Sequence, residues 1–378
     1  MMTRRCKSSD RRTGHLLCPM AAIAVLSCGV AISFLVFSGS VGGQEAASAG
    51  GKRTYQNKLT PVKNPKPLLA DNPEYVEPIY DSNRLASPPL VDDLNADLEL
   101  LAWRYSYNAR GYVEIPNRLS SADTAIIVVH PWGLEDGQGW RMPQPAGFVF
   151  GSPEMLVNVT KQIKTALRPF IDSLRDRVPL VMYSLPGNED PIRRKMYRSI
   201  RATPSKADRV AGAKELHALL NSFQYDNRGA IAPTLSLSTE TPVVDYFAQF
   251  PGGDPGDHYN GPGYWSLPIP VCAGLNAQPD DVVIYDSEGY EVLRDFLKNQ
   301  GIRHILLIGF ATDMCLCETT AGYNNLRNDF NVFVVGDLTQ ATSQGNNSSA
   351  CNTTAALSFA SLKVLITQAS WVKKLPRK

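Results

Sequence analysis

The feature that most constrains this chain begins at Thr124. From there, short β-branched apolar runs alternate with longer amphipathic stretches. The runs are Thr124–Val129, Leu180–Tyr183, Val282–Tyr285, Ile305–Ile308, Val332–Val335 and Val364–Thr367. Helical patterns lie near 153–176, 208–223, 288–300, 313–328 and 353–362. A strand that is apolar on both faces must be covered on both, so the pattern predicts an α/β fold: a parallel sheet between two helical layers. The longest connection, about 185–280, is read as a long loop insertion or lid, because Pro251-Gly252-Gly253 and Gly261-Pro262-Gly263 break regular structure.

The 120 residues upstream differ. Residues 1–49 carry five basic residues, then an apolar run from Ala21 to Phe37, then small residues ending Ala47-Ser48-Ala49. That order predicts a secretory signal peptide, and hence a secreted or periplasmic protein, or an anchored one if the segment is not cleaved. Residues 50–92 are proline-rich, as in Lys63-Asn64-Pro65-Lys66-Pro67, and read as an extended arm or linker. Residues 93–120 read as a short helix (Leu94, Leu98, Leu101, Ala102) followed by a hairpin turning near Asn108–Gly111. Domain boundaries follow: signal 1–49, arm 50–92, extension 93–120, and one α/β domain over 121–378.

Charge excludes one class of partner. Beyond the leader, 33 basic residues face 34 acidic ones, so the chain lacks the basic excess of a nucleic-acid binder. No segment after the leader is apolar enough to span a membrane. A small molecule is the partner expected. Seven cysteines include three in the leader, which leaves Cys272, Cys315, Cys317 and Cys351. No Cys-x-x-Cys pair points to zinc.

In open parallel sheets, ligands bind at the carboxyl ends of the strands. His130, Ser184–Gly187, Asp286, Phe310–Cys315 and Gly336-Asp337 occupy those ends. After Ile305–Gly309, Thr312 suits a helix N-cap and Asp313 a first turn, which puts Cys315 where free N–H groups favour a thiolate. A buried packing cysteine is the competing reading, and it is the one expected for Cys317. Trp132, Asp136, Gln138 and Trp140 follow His130 and are candidate pocket residues, with ordinary packing the alternative for the tryptophans. Asp254, Asp257 and His258 could bind a metal, but no second nearby histidine supports it, and a solvated loop is the reading adopted. His217 and the run Arg193-Arg194-Lys195 read as solvated surface, His304 as locally satisfied, and Asp337 as a brace beside the site.

The segment ILLIGFATDMCLCETTAGYNNLRNDFNVFVVGDLTQATS resembles the signature of the isochorismatase-like cysteine hydrolases, from Gly309 through Ala341. The resemblance extends more weakly to 124–129, 178–184 and 280–302. It implies a Rossmann-like three-layer α/β/α fold with a six-stranded parallel sheet in the order 3-2-1-4-5-6. In that order the first and fourth strands are neighbours, so His130 and Cys315 would share a crevice. It further implies hydrolysis through a thiolate at Cys315, no organic cofactor, and an oxyanion hole from backbone N–H groups of Ala311, Met314 and Cys315. A non-proline cis peptide is expected at Phe310-Ala311, and Thr312 joins the substrate-binding candidates. Self-association is common in such proteins, so a homo-oligomer is an open expectation.

Two positions depart from the family's Asp–Lys–Cys triad. His130 stands where the Asp belongs and Asp286 where the Lys belongs. One reading is a dead site on a scaffold that now only binds. The other is an exchanged triad: His130 takes the Cys315 proton and Asp286 orients the imidazole. The exchanged triad predicts an exported hydrolase of a small amide or related C–N bond. With Cys315 kept reduced, Cys272–Cys351 is the disulfide expected.

Overall fold

A computed structural model describes residue 52 and residues 54–143, 152–225, 232–249, 263–342 and 348–377. The predicted leader with its three cysteines, and Asp254, Asp257 and His258, lie outside the described residues. Tyr55–Lys378 form one compact unit. Its strands are β1 (Thr60–Pro61), β2 (Arg84–Ala86), β3 (Leu98–Ser106), β4 (Gly111–Leu119), β5 (Thr124–Val129), β6 (Leu180–Leu185), β7 (Arg198–Ser199), β8 (Val282–Tyr285), β9 (His304–Phe310), β10 (Asn331–Gln340) and β11 (Gln368–Lys374).

All eleven belong to one mixed sheet, in the order β1-β2-β4-β3-β11-β10-β9-β5-β6-β8-β7. The sheet is thus larger than the six strands expected. Within it, β8, β6, β5, β9, β10 and β11 pair side by side in parallel. Strand β5 shows why such runs demand this fold. Ile126 and Val128 enter one apolar core while Ala125, Ile127 and Val129 enter the other, on the opposite face. Successive strand side chains point to opposite faces, so a strand apolar at every position needs helices on both sides.

Three expectations change. The helix read at 93–102 is absent: β3 and β4 form a nine-residue antiparallel hairpin that joins β11. Leu98, Leu100 and Ala102 are buried at period two, and burial on the sheet overrode the helical spacing of Leu94, Leu98 and Leu101. The last strand starts at Gln368 rather than Val364, because the preceding helix runs Ser349–Lys363. The long connection is not irregular throughout. Beside the helix expected near 208–223 it contains two more, so that the three run Pro191–Met196, Lys206–Ser222 and Pro242–Phe247. Asp190 caps the first, and a Ser205/Asp208 capping box starts the second.

The arm is part of the core. Leu68, Leu69, Tyr75 and Val76 are buried in it, and Asn72 donates from its side chain to Asp337 at 2.9 Å. No helix among the described residues is long and apolar enough to cross a membrane.

Candidate active site

The site is built where β5 and β9 end side by side. Gly309 makes their approach possible. Its φ is +107°, and a Cβ there would sit 2.3 Å from the Val129 carbonyl oxygen, closer than any side chain tolerates. The segments that follow the two strands therefore emerge together: His130 after β5, and Ala311 to Cys315 after β9. The Phe310-Ala311 peptide is cis.

His130 is 5% exposed, with φ at +44° and its N–H bonded to the Ser184 carbonyl at 3.0 Å. Its Nε2 lies 2.9 Å from Asp286 Oδ2. Its Nδ1 is buried without a hydrogen bond to another protein group among those described, and Cys315 is the ring's other close neighbour. Burial of the ring works against its charge. The hydrogen bond to Asp286, together with the proximity of Cys315 and the charge of both, outweighs burial and lifts the imidazole to about 9. At neutral pH the ring is therefore predominantly an imidazolium.

Asp286 follows β8 and is itself held from two sides. Its Oδ1 accepts from the Ser184 hydroxyl at 3.4 Å, and its backbone carbonyl accepts from the Thr320 hydroxyl at 2.6 Å. Thr320 lies five residues beyond Cys315, so that bond ties the cysteine's segment to the carboxylate's.

Cys315 is half-buried and is the first residue of a four-residue helix, Cys315–Glu318. That helix is shorter than the spacing suggested, and Met314 rather than Thr312 precedes it with no side-chain cap. The Thr312 hydroxyl donates to Thr339 instead, and Asp313 binds Thr342. The Ala311 carbonyl accepts from Met314 N–H at 3.1 Å and Leu316 N–H at 3.0 Å. Met314 N–H is thus already engaged. Cys317 is buried with its thiol pushed up to about 11, and Cys272 to about 12, both chiefly by burial. Cys272 and Cys351 are free thiols, so the bridge expected between them is not formed.

A narrow cavity of about 20 Å³, room for about one water molecule, is lined by His130, Trp132, Phe310, Ala311, Met314, Cys315 and Thr342. Trp132 stacks near His130, with centroids 6.0 Å apart and planes 30° off parallel. Of the pocket candidates, Trp132 is present and the other four, Asp136, Gln138, Trp140 and Thr312, are not. Trp140 is 1% exposed in a separate apolar cluster, donating to the Tyr264 hydroxyl at 3.0 Å. Gln138 Nε2 is held by Asp136 at 2.9 Å and by the Val271 carbonyl at 2.8 Å. Thr312 is 1% exposed and bonds away from the cavity. Thr342 was missed, although it lies just beyond β10, at the same end of the sheet.

The remaining candidates are structural. His304 lies at the start of β9, away from the site, bonded to Asp93 at 3.0 Å and Asn331 at 3.1 Å. Arg193, read as solvated, is buried: it pairs with Asp190, donates to the carbonyls of Pro186, Asn188 and Ile269, and stacks on Tyr285. Among the described residues, no cluster of His, Cys, Asp and Glu is arranged to hold a metal.

Residues 241–368 match the family model described as the isochorismatase domain. No curated protein matches the sequence. Among solved structures, a cysteine hydrolase from Pseudomonas syringae pv. phaseolicola 1448A is similar at 16% identity over 65% of this chain and 87% of its own, with TM-score 0.33. A nicotinamidase from Staphylococcus aureus is similar at 12% identity over 65% and 98%, with TM-score 0.30. A protein of L. infantum, solved in complex with nicotinate, is similar at 14% identity over 66% and 93%, with TM-score 0.31. The match to the isochorismatase domain thus covers the segment that carries Asp286, Cys315 and the strands around them.

Proposed function

We propose that the protein is an exported cysteine hydrolase that cleaves a small amide or related C–N bond, with Cys315 as nucleophile, His130 as its proton partner and Asp286 as the group orienting the imidazole. One observation carries the reading: a single buried ring contacts Asp286 through Nε2 and has Cys315 as its other neighbour. Export rests on the basic–apolar–small order of residues 1–49.

The lifted histidine sets the division of labour. His130 already holds a proton at neutral pH, and the nucleophile proposed is the sulfur beside it acting as a thiolate, the form a neighbouring cation favours. The sulfur attacks the carbonyl carbon and a C–S bond forms. Charge on the carbonyl oxygen is met by the N–H groups of Ala311 and Cys315, since that of Met314 is spent on Ala311. As the C–N bond breaks, His130 gives its proton to the leaving nitrogen, and ammonia or an amine departs. Neutral His130 then takes a proton from water as the hydroxyl oxygen attacks the thioester. The C–S bond breaks, the acid leaves, and the imidazolium–thiolate pair is restored.

The test is release of ammonia from a panel of small primary amides by the parent and by Cys315→Ala. Parent turnover that falls by about 10³-fold or more in the variant supports the reading. Turnover by the variant equal to the parent's refutes it.

A further inference from the structure

Thr342 is a cleft residue whose hydroxyl is already committed. The side chain is 8% exposed, lines the cavity beside Cys315 and Met314, and is gripped twice by Asp313. Its N–H donates to Asp313 Oδ1 at 2.8 Å, and its hydroxyl donates to Oδ2 at 2.8 Å. A threonine hydroxyl has one proton and two lone pairs. A carboxyl oxygen at that distance is a better acceptor of the proton than the Met314 sulfur, 3.4 Å away. What Thr342 has left to offer is acceptor capacity.

We infer that Thr342 is a specificity residue that accepts a hydrogen bond from an N–H of the substrate, selecting amides over the corresponding esters. The inference rests on the hydrolase reading of the same site. Two neighbours of the reacting carbon would then treat the leaving nitrogen differently. His130 supplies it with a proton, while Thr342 accepts one of the hydrogens it already carries. An ester oxygen has no hydrogen to give, and its lone pairs would face those of Thr342 in a cleft with little room for a mediating water. A site built around a polar contact rejects the analogue that cannot make it, because the site's own group is left unpaired. The side chains of the other liners Trp132, Phe310, Ala311 and Met314 carry no oxygen acceptor.

The experiment compares propionamide with methyl propionate, which share one acyl group, on the parent, Thr342→Val and Thr342→Ser. Two readouts are taken: kcat/KM, and protection of Cys315 from iodoacetamide, which needs binding but no turnover. Thr342→Val should lose about 10-fold or more on the amide and stay within about two-fold on the ester, with Thr342→Ser recovering most of the amide activity. An equal fall on both compounds, as general damage to the fold would give, overturns the inference; so does an unchanged amide rate. If the parent cleaves neither compound, the hydrolase reading fails for this substrate pair, and protection decides. Amide protection that exceeds ester protection in the parent, and is equalised in Thr342→Val, upholds Thr342 as an N–H acceptor. Equal protection, or none from either compound, overturns it.

Discussion

His130 carries the proposed proton transfers and also bears on stability. Its folded value, about 9, lies above the ordinary histidine value near 6.5. Protonation is therefore favoured in the folded state. The resulting stability is fully present below about pH 6.5 and is lost as pH rises through about 9. Denaturant titrations from pH 6 to pH 9.5 should show a declining unfolding free energy, and His130→Gln should flatten that decline. Asp337 runs the same way for a different reason. Burial lifts its carboxyl to about 6, against the relief given by Asn72. Ionising it is costly, so its stability contribution is present below about pH 4 and is lost as pH rises through about 6. Asp337→Asn should be more stable than the parent at pH 8 by about 1–3 kcal/mol, a gain that disappears near pH 4. At this scale the sequence was legible where position alone decides. His130, Asp286 and Cys315 each follow an apolar run, and the structure gathers them. It was not legible where a side chain could choose among partners. Thr312 looked like a cap but bonds Thr339, while Thr342, without a motif of its own, lines the cleft.

Among elements, the central strands were readable because an unbroken β-branched apolar run has few other uses. Residues 93–102 were not, since leucines and alanine there satisfy helical and alternating spacing together. What settles the choice is a long-range partner: β3 pairs with β11, some 270 positions later in the chain. Such pairings leave no local trace. Gly309 shows how one residue within an element fixes the site. Gly309→Ala would put a methyl against the Val129 backbone at a left-handed φ, so β9 must move away from β5. The variant should lose at least about 2 kcal/mol of stability. Any folded fraction should show Cys315 alkylation slowed in step with its separation from His130. Stability unchanged in thermal melts would contradict the strand contact.

For the whole molecule, the arm is the main surprise. Proline-rich composition suggested a tether, yet Leu68, Leu69, Tyr75 and Val76 are buried, and Asn72 reaches the bulged part of β10. Prolines forbid helix and central strand but do not forbid burial of the apolar residues between them. Removing residues 50–80 should expose those contacts and destabilise the α/β unit by several kcal/mol. The proposed leader, by contrast, ends upstream of every one of them, so if it is cleaved on export, mass spectrometry should find an N-terminus near residues 43–50 on a protein as stable as the full chain. The proposed reactivity of Cys315 depends on the imidazolium of His130 beside it. The most direct measurement is the rate of Cys315 alkylation by iodoacetamide at pH 6, in the parent and in His130→Gln. The parent should react at least about 10-fold faster than the variant, as a histidine-paired thiolate would; equal rates would contradict the account at its centre.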